Sequence, residues 1–282
     1  MEAGPERRLG EVSGLCRRAG ISRQNYYACR RVRQREHAEE ELIVELVRRE
    51  RRLQPRLGGR KLFFMLQGEF SEHGISIGRD RFFEVLKRAN LLVEAKAGRA
   101  RTTNSRHSLP VFRNLFSGRT WDGPNQAWVS DLTYVRTEEG FLYAALITDA
   151  YSRKIVGYHI GDNLEAQGCI WALEMALKWL PAGQQPIHHS DRGCQYCCHA
   201  YVERLQKRRL PISMTEVQHC YENALAERVN GILKQEYEMD RTFRTKEQAK
   251  GALEQAVMLY NNRRPHLGLN YRCPAQAHEQ VA

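Results

Sequence analysis

Asp131, Asp191 and Glu227 are three acids in three different local settings. Asp131 lies in Trp128-Val-Ser-Asp-Leu-Thr-Tyr134, a run patterned as a strand. Asp191 closes the apolar-to-polar stretch Pro186-Ile-His-His-Ser-Asp-Arg-Gly193, and Glu227 sits in Glu222-Asn-Ala-Leu-Ala-Glu-Arg-Val-Asn-Gly-Ile-Leu-Lys234, which reads as a helix. Thirty-five residues separate Asp191 from Glu227. Breaking or joining a phosphodiester requires neutralisation of the charge around the pentavalent phosphorus and an activated water or 3′-hydroxyl. Two divalent cations about 4 Å apart supply both, and carboxylates are the hard oxygen ligands that Mg2+ or Mn2+ accept. The three acids are therefore read as catalytic and metal-ligating at once. Asp131 and Asp191 share two ions, and Glu227 completes the shell.

The flanking elements must bring these acids together. Ala127, Val129, Asp131, Thr133 and Val135 fall on one face of a strand by its period of two. Thr137-Glu-Glu-Gly140 turns the chain into an apolar second strand (141–148), and 154–160 forms a third. An amphipathic helix over roughly 164–180, a short strand at 186–189, a helix at about 198–208 and a strand at 210–214 follow. That order predicts an α/β fold of ribonuclease-H-like topology, a mixed five-stranded sheet with flanking helices. Asp149 ends the second strand at a turn, where Asp is favoured for turn chemistry alone. Glu222 is rotated about 140° from Glu227 on a helix, whereas Asn223 and Lys234 share the Glu227 face and are expected to approach DNA. His188 and His189 flank the Asp191 turn, one packing in the strand and the other lining the cleft, and are weaker ligand candidates than the acids.

The positive charge lies elsewhere. Residues 1–120 carry 26 Lys and Arg against 14 Asp and Glu, while 121–282 carry 18 against 19. The excess belongs to the part expected to contact phosphates. Residues 9–35 read as helix, turn at Ala19-Gly20-Ile21, N-cap at Ser22 and second helix, the pattern of a helix-turn-helix with Arg23, Gln24 and Asn25 on the first turn of a recognition helix. A plain packing hairpin is the alternative. Residues 38–92 read as a second small helical module, with Ile75, Phe82, Val85 and Leu86 on one apolar surface and Phe63, Phe64, Phe82 and Phe83 as packing aromatics. Residues 94–120 read as a basic linker. The expected organisation is 1–36 basic helix-turn-helix-like segment, 37–93 helical DNA-binding-like module, 94–120 linker, 121–240 catalytic core, and 241–282 C-terminal helix and tail.

No run of eighteen apolar residues and no apolar leader in the first twenty residues are present, so a cytoplasmic, nucleoid-associated protein without a membrane is expected. The eight cysteines are read as reduced thiols. Cys194-x-x-Cys197-Cys198-His199 followed by His219-Cys220 admits a zinc reading, but paired knuckles are lacking.

Taken together, Trp128–Tyr134, Thr148-Asp-Ala-Tyr-Ser-Arg-Lys-Ile-Val-Gly-Tyr158, His189-Ser-Asp-Arg-Gly-Cys-Gln-Tyr196, Ser213-Met214, Glu222–Glu236 and Tyr260-Asn-Asn-Arg-Arg-Pro-His266 resemble, in order, the integrase-like transposases encoded by the second reading frame of many bacterial insertion sequences, relatives of retroviral integrases. The resemblance covers about residues 121–275. The gap of thirty-five residues and a lysine seven positions after the glutamate match that family's pattern. The helical region 38–92, with Arg56-Leu-Gly-Gly-Arg-Lys-Leu62, is more loosely similar to the family's N-terminal module, which adds Arg60 and Lys61 to the expected DNA contacts. Cys194, Glu222 and the loop 216–220 depart from the family's usual residues, and none replaces a carboxylate of the triad. The resemblance implies a DDE transposase that cleaves element ends and joins strands with magnesium, acting as a homo-oligomer on double-stranded DNA, alone or fused to the product of an upstream frame. The alternatives are a ribonuclease-H-like nuclease without joining activity and a catalytically inactive DNA-binding regulator.

Overall fold

The computed structural model describes residues 5–94, 109–216 and 223–279. The chain divides into two compact units, one of residues 1–50 and 65–92 and one of 51–64 and 93–282.

In the first unit, α1 (Pro5–Arg18) ends at Gly20, whose φ of +66° is the left-handed conformation glycine adopts without strain. The Ile21 N–H donates to the Cys16 carbonyl at 3.0 Å, and Ser22 Oγ accepts from the Asn25 N–H at 3.0 Å, capping α2 (Arg23–Leu53) at the position expected. The second helix does not stop near residue 35. It runs on as one helix of 31 residues, because no glycine or proline interrupts it. Arg35–Glu39 and His37–Glu41, four residues apart, bridge the stretch where a break was expected. Helix α3 (Gly59–Glu72) and helix α4 (Arg79–Arg88) follow. Ile43, Leu46, Val47, Leu66, Phe70, Ile75, Phe82, Val85 and Leu86 are buried, so the apolar surface read from 38–92 is the interior of this unit.

The second unit is built on a mixed sheet of order β3-β2-β1-β4-β5. Its strands are β1 (Ala127–Thr137), β2 (Gly140–Asp149), β3 (Ile155–Gly161), β4 (Ile187–Ser190) and β5 (Ile212–Met214). β1, β2 and β3 form the antiparallel meander, while β4 and β5 add in parallel. A sixth strand, β6 (Thr242–Phe243), pairs with Arg136 and Thr137 of β1; two residues are too few for any periodicity to reveal. This is the ribonuclease-H-like arrangement that the order of elements predicts.

Alternation along β2 divides the interior. Leu142, Ala144 and Leu146 face a cluster made with α8 (Ala224–Glu236) and α9 (Lys246–Asn262). Ala145 and Ile147 face the opposite layer, built from α5 (Ala166–Lys178), α6 (Cys194–Cys197) and α7 (His199–Lys207). On the period of two, Asp131 shares the side of Val135, the α8 side. The sheet closes tightly against α5 at Gly157, where an added Cβ would lie 2.2 Å from the Ala172 carbonyl oxygen. A short helix, α10 (Pro274–Glu279), ends the described chain.

Residues 109–116, expected to belong to a linker, pack onto this unit. Leu109 and Phe112 lie against the α5 layer, and Leu115 and Phe116 against Ala127 and Ile187. The Leu115 N–H donates to Ser213 Oγ at 2.8 Å. The apolar residues of this stretch are widely spaced, which made it look unpatterned.

Candidate active site

The parallel pairing of β1 with β4 sets the site. Trp128 is opposite His188, Val129 opposite His189 and Ser130 opposite Ser190. Asp131 is the next residue of β1, and Asp191 is the first residue after β4. Neighbouring strands lie roughly 5 Å apart, so the register puts the two aspartates side by side. Asp131 Oδ1 accepts from the Leu132 N–H at 2.9 Å, and its Oδ2 accepts from Asn230 Nδ2 at 2.7 Å. Burial and the negative charge of Asp191 push the Asp131 pKa up to about 7, against the opposite pull of the Asn230 hydrogen bond. Asp191 is fixed by a tight turn: its Oδ1 accepts from the Gly193 N–H at 2.9 Å, and Arg192 Nε donates to the Thr215 carbonyl at 2.6 Å.

Glu227 lies exposed in the first turn of α8, and its charge also acts on Asp131. Among the described residues no three His, Cys, Asp or Glu side chains converge on a metal-sized cage. The pair of aspartates is brought together, with Glu227 flanking it on an open surface. The donor set still fits divalent cations. Asp131 retains a proton near neutrality because it is buried and a second carboxylate stands beside it, and a hard cation offsets both the burial of the charge and the repulsion as a proton does.

Helix α8 presents a second stripe. Asn223, at its N-cap, donates from Nδ2 to the Ser130 carbonyl at 3.2 Å, one residue before Asp131. Lys234 Nζ sits 4.5 Å from the Tyr134 ring centre, and burial lowers its pKa. Between them Asn230, absent from the expected site, makes the most direct side-chain contact to Asp131. It falls three residues after Glu227, so Asn223, Glu227, Asn230 and Lys234 follow the i, i+4, i+7, i+11 course of one helix face. That spacing was the signal available for finding it. Glu222 lies outside the described residues.

The histidines before Asp191 are both buried, so neither lines a cleft. His188 Nε2 is 2.7 Å from Ser130 Oγ and 2.9 Å from the Tyr201 hydroxyl, and burial drives its pKa down to about 3. His189 Nδ1 is 2.8 Å from Ser213 Oγ, and its ring stacks on Phe116. Asp149 is fully buried and occupied by its turn, accepting from the Asn125, Tyr151 and Ser152 N–H groups and from Ser152 Oγ. Cys194 is exposed, Cys198 half-buried and Cys197 buried, with no zinc-type cluster among the described residues; Cys220 and His219 lie outside them.

Of the residues expected at DNA, Arg23, Gln24, Asn25 and Arg60 are exposed. Lys61 is not: its Nζ lies 2.6 Å from Glu236 Oε1, and Arg264 holds the same carboxylate through two bonds of 2.8 Å. A recess of about 790 Å³ lined by Arg119, Trp121, Gln126, Gln184 and Ile187 lies at the other ends of β1 and β4, away from the aspartates. No helix among the described residues is long and apolar enough to cross a membrane.

Two family models, each described as an integrase core domain, match residues 122–220 and 208–274. The chain is 37% identical over 273 residues to the insertion element IS600 uncharacterized 31 kDa protein of Shigella sonnei, covering 94% of this chain and 98% of that one. It is 30% identical, again over 273 residues, to the transposase for insertion sequence element IS629 of Shigella sonnei, covering 94% and 90%. Transposase InsF for insertion sequence IS3A of Escherichia coli (strain K12) is 31% identical over 226 residues, covering 77% and 75%.

Proposed function

Since this chain belongs to the insertion-sequence transposases with an integrase core, a family of DDE polynucleotidyl transferases that act on DNA with divalent metals, we propose that Asp131, Asp191 and Glu227 are its catalytic and metal-ligating carboxylates. The register that sets Asp131 beside Asp191 is the observation that carries this reading. The metals are two ions, Mg2+ or Mn2+, held by the two aspartates with Glu227 closing the shell. When bound, they supply charge neutralisation at the scissile phosphate and a more acidic nucleophile.

The chain's own residues do the positioning. Asn230 fixes the rotation of the Asp131 carboxylate, and the Gly193 N–H does the same for Asp191. Asn223 ties the start of α8 to the backbone just before Asp131. Lys234, held over Tyr134, gives the cleft a fixed positive charge for a DNA strand. The substrates are the element's ends and a target duplex. Water opens the phosphodiester at the end, and the freed 3′-hydroxyl then displaces an oxygen of a target phosphodiester. Paired ends call for a homo-oligomer on DNA, alone or fused to an upstream frame's product, in the nucleoid. Arg23, Gln24, Asn25 and Arg60 remain candidates for DNA contact on the helices before the core.

Incubating the purified protein with an end-containing duplex and Mg2+ tests the reading. Joined products that vanish in Asp131→Asn, Asp191→Asn and Glu227→Gln, and on chelation, support it. Cleavage without joining points to a nuclease. Equal binding by wild type and variants with no cut product in any of them would overturn both.

A further inference from the structure

The N-terminal half of α2 is bare. From Arg23 to Arg35 it carries five arginines and no acid, and residues 29–38 are exposed throughout. Other arginines of this unit find carboxylates: Arg35, the last of the five, pairs with Glu39, Arg49 with Glu69, and both Arg81 and Arg88 with Glu40. Among the described residues, Arg23, Arg30 and Arg31 have no such partner.

Helical geometry sorts the side chains. Successive residues turn by about 100°, so Arg23, Tyr27, Arg30, Arg31 and Gln34 fall on one face over roughly 17 Å of axis. Tyr27, Arg30, Arg31 and Gln34 line a shallow recess of about 450 Å³. Asn25, Cys29 and Val32 lie on the opposite face, where the Asn25 side-chain oxygen accepts from Cys29 Sγ at 3.3 Å. Three unpaired guanidinium groups, a phenol and an amide in one row are donors suited to phosphate oxygens, and a row of cations with no acid opposes the charge of a duplex.

We propose that the face Arg23–Tyr27–Arg30–Arg31–Gln34 grips the phosphate backbone of duplex DNA independently of sequence. This rests on the transposase reading and assigns its DNA grip to a face that Asn25 does not share.

The test is duplex binding by the full chain over a range of salt, with a 30-base-pair end duplex and an unrelated duplex of equal length. Each phosphate that a variant no longer neutralises lowers the slope of log K against log salt by about 0.9. Arg30→Gln/Arg31→Gln is expected to reduce the slope by about 2 on both duplexes, while Val32→Gln on the opposite face keeps the wild-type slope. With saturating end duplex at low salt, the double variant is expected to join strands still, and Asp131→Asn to bind with the wild-type slope without joining. An unchanged slope in a double variant with wild-type helicity overturns the proposal, as does a weakening confined to the end duplex, which would mark a base-reading face. Failure of the transposase reading has a separate signature: wild-type protein that binds with the full slope and joins nothing.

Discussion

Asn230 shows how far the proposed chemistry at Asp131 would depend on a neutral side chain. Among the described residues its amide is the one side-chain donor to the Asp131 carboxylate, at 2.7 Å, and it opposes the burial and repulsion that favour the protonated acid. A hydrogen bond to a charged group is worth about 1.5–3 kcal/mol. Asn230→Ala is therefore expected to slow strand joining by roughly 10- to 100-fold in single-turnover assays while moving the melting temperature little. An unchanged joining rate would remove Asn230 from the site. The closeness of Asp131 and Asp191 could be read from the sequence because each interrupts or ends a patterned run. Asn230 could not, since an asparagine within a helix has no distinctive neighbourhood until its partner strand is known. The ion pair of Lys61 was hidden for a related reason: only the fold reveals Glu236 beside it.

At the scale of elements, two contacts hold the sheet on which the aspartates sit. Gly157 lets α5 lie directly on β3, and Gly157→Ala would put a methyl group into the Ala172 carbonyl and Ala176. Overpacking of this kind costs about 1–3 kcal/mol, so thermal unfolding should begin several degrees lower. His188 links β4 to Ser130 of β1 and to Tyr201 of α7. Its pKa is about 3 in the fold and about 6.5 when unfolded, so below pH 6.5 the unfolded chain takes up the proton first. Stability is thus whole above about pH 6.5 and falls as the pH drops toward 3. Melting curves from pH 7 to 4 should show this decline, and it should be smaller in His188→Gln. The strand order was readable because β1 alternates, β2 is a continuous apolar run and the turns between β1, β2 and β3 are short. The continuity of α2 was not, since a run of charges resembles a loop unless its pairs four residues apart are counted.

Across the second unit, one carboxylate ties together distant parts of the chain. Glu236, at the end of α8, binds Lys61 from α3 and Arg264 from beyond α9, and its backbone carbonyl accepts from the Arg56 N–H at 3.0 Å. Next to it the Tyr237 hydroxyl donates to buried Gln54 at 3.0 Å. Both cations hold the Glu236 pKa below its usual value despite burial. Glu236→Ala would leave two partly buried cations facing each other, a change expected to cost about 3–5 kcal/mol by chemical denaturation. By the same logic, residues 121–240 expressed alone should be less stable than residues 51–282, which retain both partners. Equal stability would mean that the triad adds nothing to the core. Sequence patterning marked 121–240 as a self-contained stretch because periodicity reports local elements, whereas ion pairs across 175 positions leave no local trace.

The parallel register of β1 and β4 also bears on how such a gene decays. Deletion of one codon between Ala127 and Asp131 would leave all three acids encoded and the reading frame open. Yet every side chain upstream of the deletion would change sides of the sheet, or Asp131 would turn toward the α5 layer, out of step with Asp191. On the proposed function, copies of this element would fall silent through strand length alone, and counting intact carboxylates would score them as active.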